Sequence, residues 1–432
     1  MNRSDSERIR AVLEDLGFRM VDREEEADLI GVVACSVRQK PIDKVSGKIR
    51  KWNEWKRVRP LATFLAGCVL PTDEKRFRER FDIVFRMGEL PDLPEMIRRC
   101  GIFPEATSGL LSGLERRDGR TDFWRIEPAY SGDNEYFVPI QNGCDKFCTY
   151  CAVPYTRGRE VSRDSGEVLD EVRRLLDAGA PRITLLGQNV NSYGLDRKGA
   201  EKSFPELLDE VGALGDACGR EVWIYYTSPH PRDMTRDVLE AMARHPSIAD
   251  QLHLPIQSGD DEVLRRMNRG YGVEDYFRIV DDVREILPNA TLFTDVIVGF
   301  SGETEAQFEG SVRAMERARY NMAYVAKYSP RPGARSAEWP DDVPAREKSR
   351  RLARLGEILG DTARAWNERL IGGIVRVSID GPDPRVSGAL VGRTEGRIPV
   401  RVLDAPADRI GTFCSVRTES AASLSIEGRF VG

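Results

Sequence analysis

Apolar residues along the chain follow two spacings, which predict alternating strands and helices. In the first hundred residues, short apolar runs predict strands at 28–33, 61–66 and 82–86. Helical spacing predicts helices over 5–17, 41–56, 73–81 and 90–100. This alternation indicates a parallel α/β layer. Residues 105–133 are rich in Gly, Ser and charged residues, and they predict a linker.

A second, longer series of the same kind begins at Tyr136. Strands are predicted at 136–141, 182–186, 222–227, 251–256, 291–298 and 322–328. Helices are predicted at 165–178, 204–217, 235–244, 273–287 and 304–318. Six β/α repeats fall short of the eight that close a barrel, so we expect a partial, open (β/α)6 barrel.

The last part of the chain changes character. A long charged helix is predicted at 344–370, followed by alternating segments at 375–379, 387–392, 398–403 and 412–419 that Gly and Pro interrupt. These segments predict a small all-β barrel. The α/β chain therefore divides into an N-terminal parallel α/β domain at 1–118, the partial barrel at 130–366 and the all-β barrel at 367–432.

Composition limits the classes of function. The 432 residues carry a net charge of −5, so any nucleic acid must bind through local basic patches. No run of eighteen apolar residues predicts a transmembrane helix, and the N-terminus lacks the apolar region of a signal peptide. Eight cysteines without a secretion signal indicate metal binding or catalysis in a reducing compartment, and we expect a cytoplasmic protein.

Cys144, Cys148 and Cys151 form a Cys-x3-Cys-x2-Cys triplet just after the first strand of the second series. Three thiolates in one loop can hold three irons of a [4Fe–4S] cluster and leave the fourth iron open to S-adenosylmethionine. A structural zinc site usually needs four ligands, and a disulfide would leave one thiol over. The triplet follows a strand, so it lies at the carboxyl edge where barrel chemistry occurs.

Cys35 and Cys68 each directly follow a predicted strand of the first domain. Both therefore lie at the edge where parallel sheets bind ligands. The helix at 5–17 has no strand before it, which suggests that an N-terminal strand with a third cysteine is missing. The alternatives are that Cys35 and Cys68 are ordinary buried cysteines, or that Cys100 replaces the missing ligand.

Several segments closely match one known family. They are 35–38, 142–160, 228–234, 253–259, 267–271, 295–300 and 328–333. Over nearly its whole length the chain resembles the radical-SAM methylthiotransferases, and within them the MiaB family of tRNA-2-methylthio-adenosine synthases. The all-β barrel lies where that family has its RNA-binding TRAM domain.

The resemblance implies a tRNA methylthiotransferase that acts on C2 of N(6)-dimethylallyladenosine next to the anticodon, with S-adenosylmethionine as radical source and methyl donor. It implies the radical cluster on Cys144, Cys148 and Cys151, and an auxiliary [4Fe–4S] cluster held by three N-terminal cysteines, of which this chain supplies Cys35 and Cys68. Six residues are expected to bind S-adenosylmethionine: Gln188, Asn189, Gln257, Ser258, Asp295 and Gly299. Four arginines are expected to contact tRNA phosphates: Arg157, Arg159, Arg331 and Arg335.

The expected partners are tRNA and an electron donor of the flavodoxin or ferredoxin type, and we expect a monomer. Two other functions stay open. One is a relative that acts on threonylcarbamoyladenosine or on a ribosomal protein, against which the Cys35–Arg38 stretch argues. The other is a degenerate RNA-binding protein that holds one cluster and inserts no sulfur.

Overall fold

The structure is a computed structural model that describes residues 1–35, 39–104, 109–111, 116–117, 120–121, 123–132 and 134–432. At residues 35, 39–41, 116–117 and 120–121 it describes the backbone alone. No helix in these ranges is both long enough and apolar enough to cross a membrane.

The N-terminal part is a three-stranded parallel sheet between helices. Its elements are α1 (Asn2–Asp15), β1 (Leu29–Cys35), α2 (Gln39–Trp55), β2 (Ala62–Cys68), α3 (Pro71–Arg78), β3 (Ile83–Val84) and α4 (Leu93–Arg99). The strand order is β1-β2-β3. Phe64 on β2 packs with Ile9 and Val12 of α1, while Leu65 packs with Ile49 of α2 on the opposite face. Every residue of β2 is buried because helices cover both faces of the sheet.

The segment that follows α4 packs in part against the core of the N-terminal sheet. Two short strands, β4 (Arg116–Arg117) and β5 (Arg120–Thr121), form an antiparallel pair. Phe123 and Trp124 then bury their rings, with centroids 5.2 Å apart, in the same core as Ile9. The sequence predicted a linker here. That prediction is wrong for 123–126, because these apolar side chains anchor the backbone in the core.

Six parallel strands form the central part, as predicted. The strands are β6 (Tyr136–Pro139), β9 (Arg182–Leu186), β10 (Trp223–Tyr226), β11 (Gln251–His253), β12 (Thr291–Val298) and β13 (Met322–Lys327), and a short pair, β7 (Gln141–Asn142) and β8 (Val161–Ser162), lies after β6. The helices are α5 (Val153–Arg157), α6 (Ser165–Asp177), α7 (Phe204–Ala217), α8 (Arg236–Arg244), α9 (Asp261–Arg266), α10 (Val273–Ile286) and α11 (Glu305–Ala318). Strands β6, β9 and β10 form one sheet, and β11, β12 and β13 form another. A parallel bridge between Ile224 and Ile248 continues the first sheet toward β11.

The C-terminal part is a closed barrel carried by a long helix. After α12 (Ala345–Glu368) come β14 (Ile374–Pro382), β15 (Leu390–Thr394), β16 (Pro399–Leu403), β17 (Phe413–Ala422) and β18 (Ser425–Phe430). The order around the barrel is β14-β15-β16-β18-β17. The sequence pattern indicated the first four strands and missed β18, a short segment with Gly428 inside it.

The small barrel packs against the amino ends of the central strands. Arg182, the first residue of β9, pairs with Asp380 at 2.5 Å. Thr291, the first residue of β12, donates its hydroxyl to the carbonyl of Gly396 at 2.8 Å. Trp223 packs edge-to-face on Phe413, with centroids 4.6 Å apart. The small barrel and the cysteine triplet are therefore at opposite ends of the central strands.

Candidate functional site

The three cysteines lie in a loop between β7 and α5. The loop is tied to the end of α9, because Thr149 donates its amide to the carbonyl of Met267 at 3.0 Å. The side-chain amide of Asn268 also donates to the carbonyls of Lys146 and Phe147, both at 3.1 Å. These bonds join segments about 120 residues apart in the chain, so packing with α9 sets the course of the loop.

Gly143, just before the first cysteine, fits only as glycine. Its φ is +81°, and a Cβ atom there would lie 2.0 Å from the carbonyl oxygen of Arg159. The amide of Gly143 donates to Oε1 of Gln188 at 2.5 Å. Gln188, expected to bind S-adenosylmethionine, therefore holds the base of the cysteine loop.

The three thiols influence one another and are largely withdrawn from water. Burial, with a smaller contribution from the neighbouring Cys148, raises the pKa of Cys144 to about 11 and that of Cys151 to about 12. Arg269, which is buried, donates from Nη1 to the sulfur of Cys148 at 3.3 Å. The amide of Val153 donates to the sulfur of Cys151 at 3.5 Å. The donors and the buried cation stabilise thiolates once metal displaces their protons.

This donor set fits a cluster with one open iron. Three thiols in one loop supply three ligands, and the amide and guanidinium donors compensate the sulfur charge. Within the described part of the chain, no group of three or more His, Cys, Asp or Glu side chains is arranged to hold a single metal ion.

A buried polar group lies beside the cysteine loop, and Asn189 is the one of its members that the sequence had assigned to S-adenosylmethionine. Lys146 forms an ion pair with Asp233, which accepts from Nδ2 of Asn189 at 3.0 Å. Glu160 accepts from the hydroxyl of Ser192, and burial raises its pKa to about 7. Oδ1 of Asn189 and Oε2 of Glu160 are buried with no hydrogen-bond partner among the described residues. Lys146, Glu160 and Asp233 lie within the motif segments 142–160 and 228–234. Their place in these segments is the signal by which the sequence could have identified them.

Of the other residues expected to bind S-adenosylmethionine, Gln257 and Ser258 follow β11, Asp295 lies on β12 and Gly299 directly follows β12. Gln257 has a φ of +69° and its amide donates to the carbonyl of Asp295 at 2.9 Å. The hydroxyl of Ser258 is fully buried without a partner among the described residues. Asp295 shares a hydrogen bond of 2.8 Å with Nε2 of His253. Gly299 has a φ of +70°, and a Cβ atom there would lie 2.4 Å from Cγ of Lys348, so backbone conformation and packing both favour glycine at this position.

Cys35 and Cys68 end neighbouring strands and are paired in register, which confirms their predicted placement. The side chain of Cys35 lies outside the described part. Cys68 is buried, and Arg157 donates from Nε to its sulfur at 2.8 Å. Nη1 of the same Arg157 also donates to Oδ1 of Asn142 at 3.4 Å, at the start of the cysteine loop. One side chain therefore connects the edge of the N-terminal sheet with the cysteine triplet.

Cys100 does not replace a ligand at that edge. Its thiol bonds to the carbonyl of Met96 at 3.4 Å within α4. The charges that act on it are those of Asp82 and Lys56. Asp82 lies just before β3, at the amino ends of the strands, whereas Cys68 lies at the carboxyl end of β2. The alternative of Cys100 as the third ligand is therefore wrong.

The four arginines expected to contact RNA differ in exposure. Arg157 and Arg331 are buried, so they do not present their charges on the surface, and this part of the expectation is wrong. Arg159 is exposed and pairs with both carboxylate oxygens of Asp145, at 2.7 and 2.9 Å. Arg335 is exposed. The sequence alone could not distinguish the buried arginines from the exposed ones, because burial here comes from contacts between distant segments.

Comparisons with known proteins agree with the geometry. The fold and the three-cysteine loop define a radical-SAM protein, and residues 138–315 match the model described as the Radical SAM superfamily. Residues 1–88 match the model described as Uncharacterized protein family UPF0004. In solved structures, the apo form of the cobalamin-dependent S-adenosylmethionine radical enzyme OxsB is similar, with a TM-score of 0.50, 13% identity and coverage of 85% of this chain and 50% of that chain. At that identity the likeness shows the fold alone.

Full-length relatives define the family. The tRNA-2-methylthio-N(6)-dimethylallyladenosine synthase of Carboxydothermus hydrogenoformans is 36% identical over 100% of this chain and 97% of its own length. The enzyme of the same name from Actinobacillus pleuropneumoniae is also 36% identical, over 100% of this chain and 90% of its own length. The chain belongs to the family of tRNA-2-methylthio-N(6)-dimethylallyladenosine synthases, which is the MiaB family.

Proposed function

We propose that the protein adds a methylthio group to C2 of N(6)-dimethylallyladenosine in tRNA, next to the anticodon, and that it works in the cytoplasm. The observation that carries this proposal is the hydrogen bond from Arg157 to Cys68. It places a sheet edge with two cysteines in register against the loop of the radical-SAM triplet. Radical formation and sulfur transfer need two neighbouring cysteine sites, and this arrangement supplies them.

The cofactors are a [4Fe–4S] cluster and S-adenosylmethionine. Cys144, Cys148 and Cys151 would hold the [4Fe–4S] cluster, which would supply the electron for reductive cleavage of S-adenosylmethionine and so allow attack on an adenine C–H that no side-chain base can deprotonate. The protein's own residues shape that site. Gln188 fixes the start of the cysteine loop, and Arg269 offsets the negative charge on the sulfur of Cys148.

The polar group beside the loop fits the amino-acid end of S-adenosylmethionine. Oδ1 of Asn189 and Oε2 of Glu160 are buried acceptors without partners among the described residues, and an ammonium group provides donors for both. Ser258 and Gln257, which follow β11, would supply polar groups for the ribose. Asp295, which is hydrogen-bonded to His253, lies next to Gln257, because its carbonyl accepts from the amide of Gln257.

Cys35 and Cys68 are the residues that would hold the auxiliary [4Fe–4S] cluster, which carries the sulfur to be transferred. The buried guanidinium of Arg157 would compensate the charge of the Cys68 ligand. The small barrel at the opposite end of the central strands is proposed to hold tRNA at a distance from the modified base. Exposed Arg159 and Arg335 are proposed to contact tRNA phosphates near the modified base.

Nucleoside analysis tests the substrate. The protein, reconstituted anaerobically with iron and sulfide, is incubated with S-adenosylmethionine, dithionite and one of three tRNA anticodon stem-loops. The three carry dimethylallyladenosine, threonylcarbamoyladenosine or unmodified adenosine. We expect methylthiolated product from the first alone. Product from the threonylcarbamoyl substrate instead would assign the chain to the other activity.

A further inference from the structure

A buried arginine beside the cysteine loop lacks the kind of partner that other buried arginines of this protein have. Arg269 is 5% exposed, and none of its four hydrogen-bond acceptors among the described residues is a carboxylate. Within the described part of the chain it also forms no ion pair. Four other arginines with buried side chains each pair with a buried carboxylate: Arg8 and Arg163 with Glu171, Arg157 with Asp5, and Arg351 with Glu303. Because arginine stays protonated in proteins, Arg269 is a buried cation that no carboxylate balances.

Two hydrogen bonds away from the cysteine loop fix the orientation of Arg269. Its Nε donates to the hydroxyl of Tyr271 at 3.0 Å, and its Nη2 donates to the carbonyl of Pro255 at 3.1 Å. The remaining nitrogen, Nη1, is thereby directed at the sulfur of Cys148 and at the hydroxyl of Tyr150, both at 3.3 Å. The cation is therefore held against one thiol of the radical site.

The negative charge that balances Arg269 has to come from the sulfur of Cys148. Tyr150 and Tyr271 are neutral phenols near pH 7, and the carbonyl that Arg269 binds contributes only a dipole. Of the four contacts, Cys148 is the one that carries a formal negative charge, which it does as a thiolate ligand of a cluster. The motif segment 267–271 therefore brings a fixed cation to the cluster site.

We propose that Arg269 is the buried counter-charge of the radical-site cluster and that it raises the reduction potential of that cluster. The inference rests on the proposed function, because that function places a [4Fe–4S] cluster on Cys144, Cys148 and Cys151. On reduction the cluster gains one electron, and a one-electron reductant such as dithionite loses one. No bond forms or breaks in the cluster, and no proton moves. The site then carries one more negative charge, and a fixed cation against a ligand sulfur favours that state.

The test is a redox titration of the full-length protein after anaerobic reconstitution, followed by the EPR signal of the reduced cluster. Every sample carries Cys68→Ala, so that the signal comes from the cysteine triplet alone. Arg269→Gln removes the charge and keeps a hydrogen-bonding amide, whereas Arg269→Lys keeps the charge. The matched control is Arg266→Gln. Arg266 lies three residues earlier, its side chain is 22% exposed, and it donates to the carbonyl of Ser301 instead of a cysteine.

We expect Arg269→Gln to make reduction of the cluster about tenfold less favourable, which is a fall of about 59 mV in the midpoint potential of a one-electron couple. Arg269→Lys should shift the potential by less than half as much, because the charge remains. Arg266→Gln should leave it unchanged. At a fixed potential, 5′-deoxyadenosine formation by Arg269→Gln should slow by about the same tenfold factor, with an unchanged KM for S-adenosylmethionine.

An unshifted midpoint potential in Arg269→Gln would overturn the proposal. If Arg269→Gln does not retain the cluster, Arg269→Lys decides the question. Retention of the cluster by Arg269→Lys would show that the charge is required, whereas loss from both variants would assign Arg269 a merely structural role and overturn the proposal. The titration contains no tRNA, so the potential can shift as expected even where no methylthiolated nucleoside forms. The proposed function and the role of Arg269 are therefore refuted by different results.

Discussion

Arg157 and Cys68, which are 89 residues apart in the sequence, are joined by a hydrogen bond of 2.8 Å from Nε to Sγ. The same guanidinium forms an ion pair of 2.5 Å with Asp5 on α1. Burial opposes the charge on Arg157, but Asp5 and Cys68 raise its pKa above the ordinary value. Arg157 ends α5, which begins two residues after Cys151. The N-terminal sheet and the radical-SAM loop therefore share one buried ionic contact.

Loss of this contact should destabilise the protein. Arg157→Gln leaves the buried carboxylate of Asp5 without its cation, which should lower the free energy of unfolding by about 3 kcal/mol. Urea unfolding of the metal-free protein measures it. Arg159→Gln, two residues further on, is the matched control, because its ion pair with Asp145 is exposed and should change stability by less than about 0.5 kcal/mol. Equal effects of the two changes would contradict the role of the buried contact.

Gly143 and Gly158 allow a comparison of crowding with backbone strain. Both have positive φ, but a Cβ atom at Gly143 would strike the backbone of Arg159, whereas at Gly158 it would meet open space. Gly158 has a φ of +79° and a ψ of −163°, a conformation nearly restricted to glycine, so Gly158→Ala should cost only backbone strain of about 1–3 kcal/mol and keep its iron. Gly143→Ala should displace the cysteine loop and lose most of the iron. Iron and sulfide content per protein after anaerobic reconstitution is the measurement, and equal iron in both variants would contradict this account of the loop.

Glu160 should make stability depend on pH. Burial raises its folded pKa to about 7 from an ordinary value of 4.5. A raised folded pKa means that its contribution is fully present below about pH 4.5 and is lost as the pH rises through about 7. Glu160→Gln cannot ionise, so its stability relative to the wild type should increase by about 2 kcal/mol between about pH 5 and pH 8. Urea unfolding of both metal-free proteins tests this, and a constant difference between them would show that Glu160 titrates normally.

The sequence predicted the repeats well and the contacts between them poorly. The six central strands were predicted because each is a short apolar run between turns, and Cys35 and Cys68 were placed at one edge because parallel strands end together. The burial of Arg157 could not be predicted. Its partners Asp5 and Cys68 lie 152 and 89 residues away, and no local pattern records such a contact. The burial of Phe123 was missed for the same reason, because this apolar residue lies in a mainly polar stretch of sequence.

The central claim is that two neighbouring cysteine groups perform different steps, and cysteine variants separate the steps. In one anaerobic reaction with dimethylallyladenosine tRNA, both 5′-deoxyadenosine and methylthiolated nucleoside are quantified by mass spectrometry. Cys148→Ala should abolish both products. Cys68→Ala should still form 5′-deoxyadenosine but no methylthiolated nucleoside, and the control Cys100→Ala should retain both. Methylthiolation by Cys68→Ala at the wild-type yield would contradict the claim.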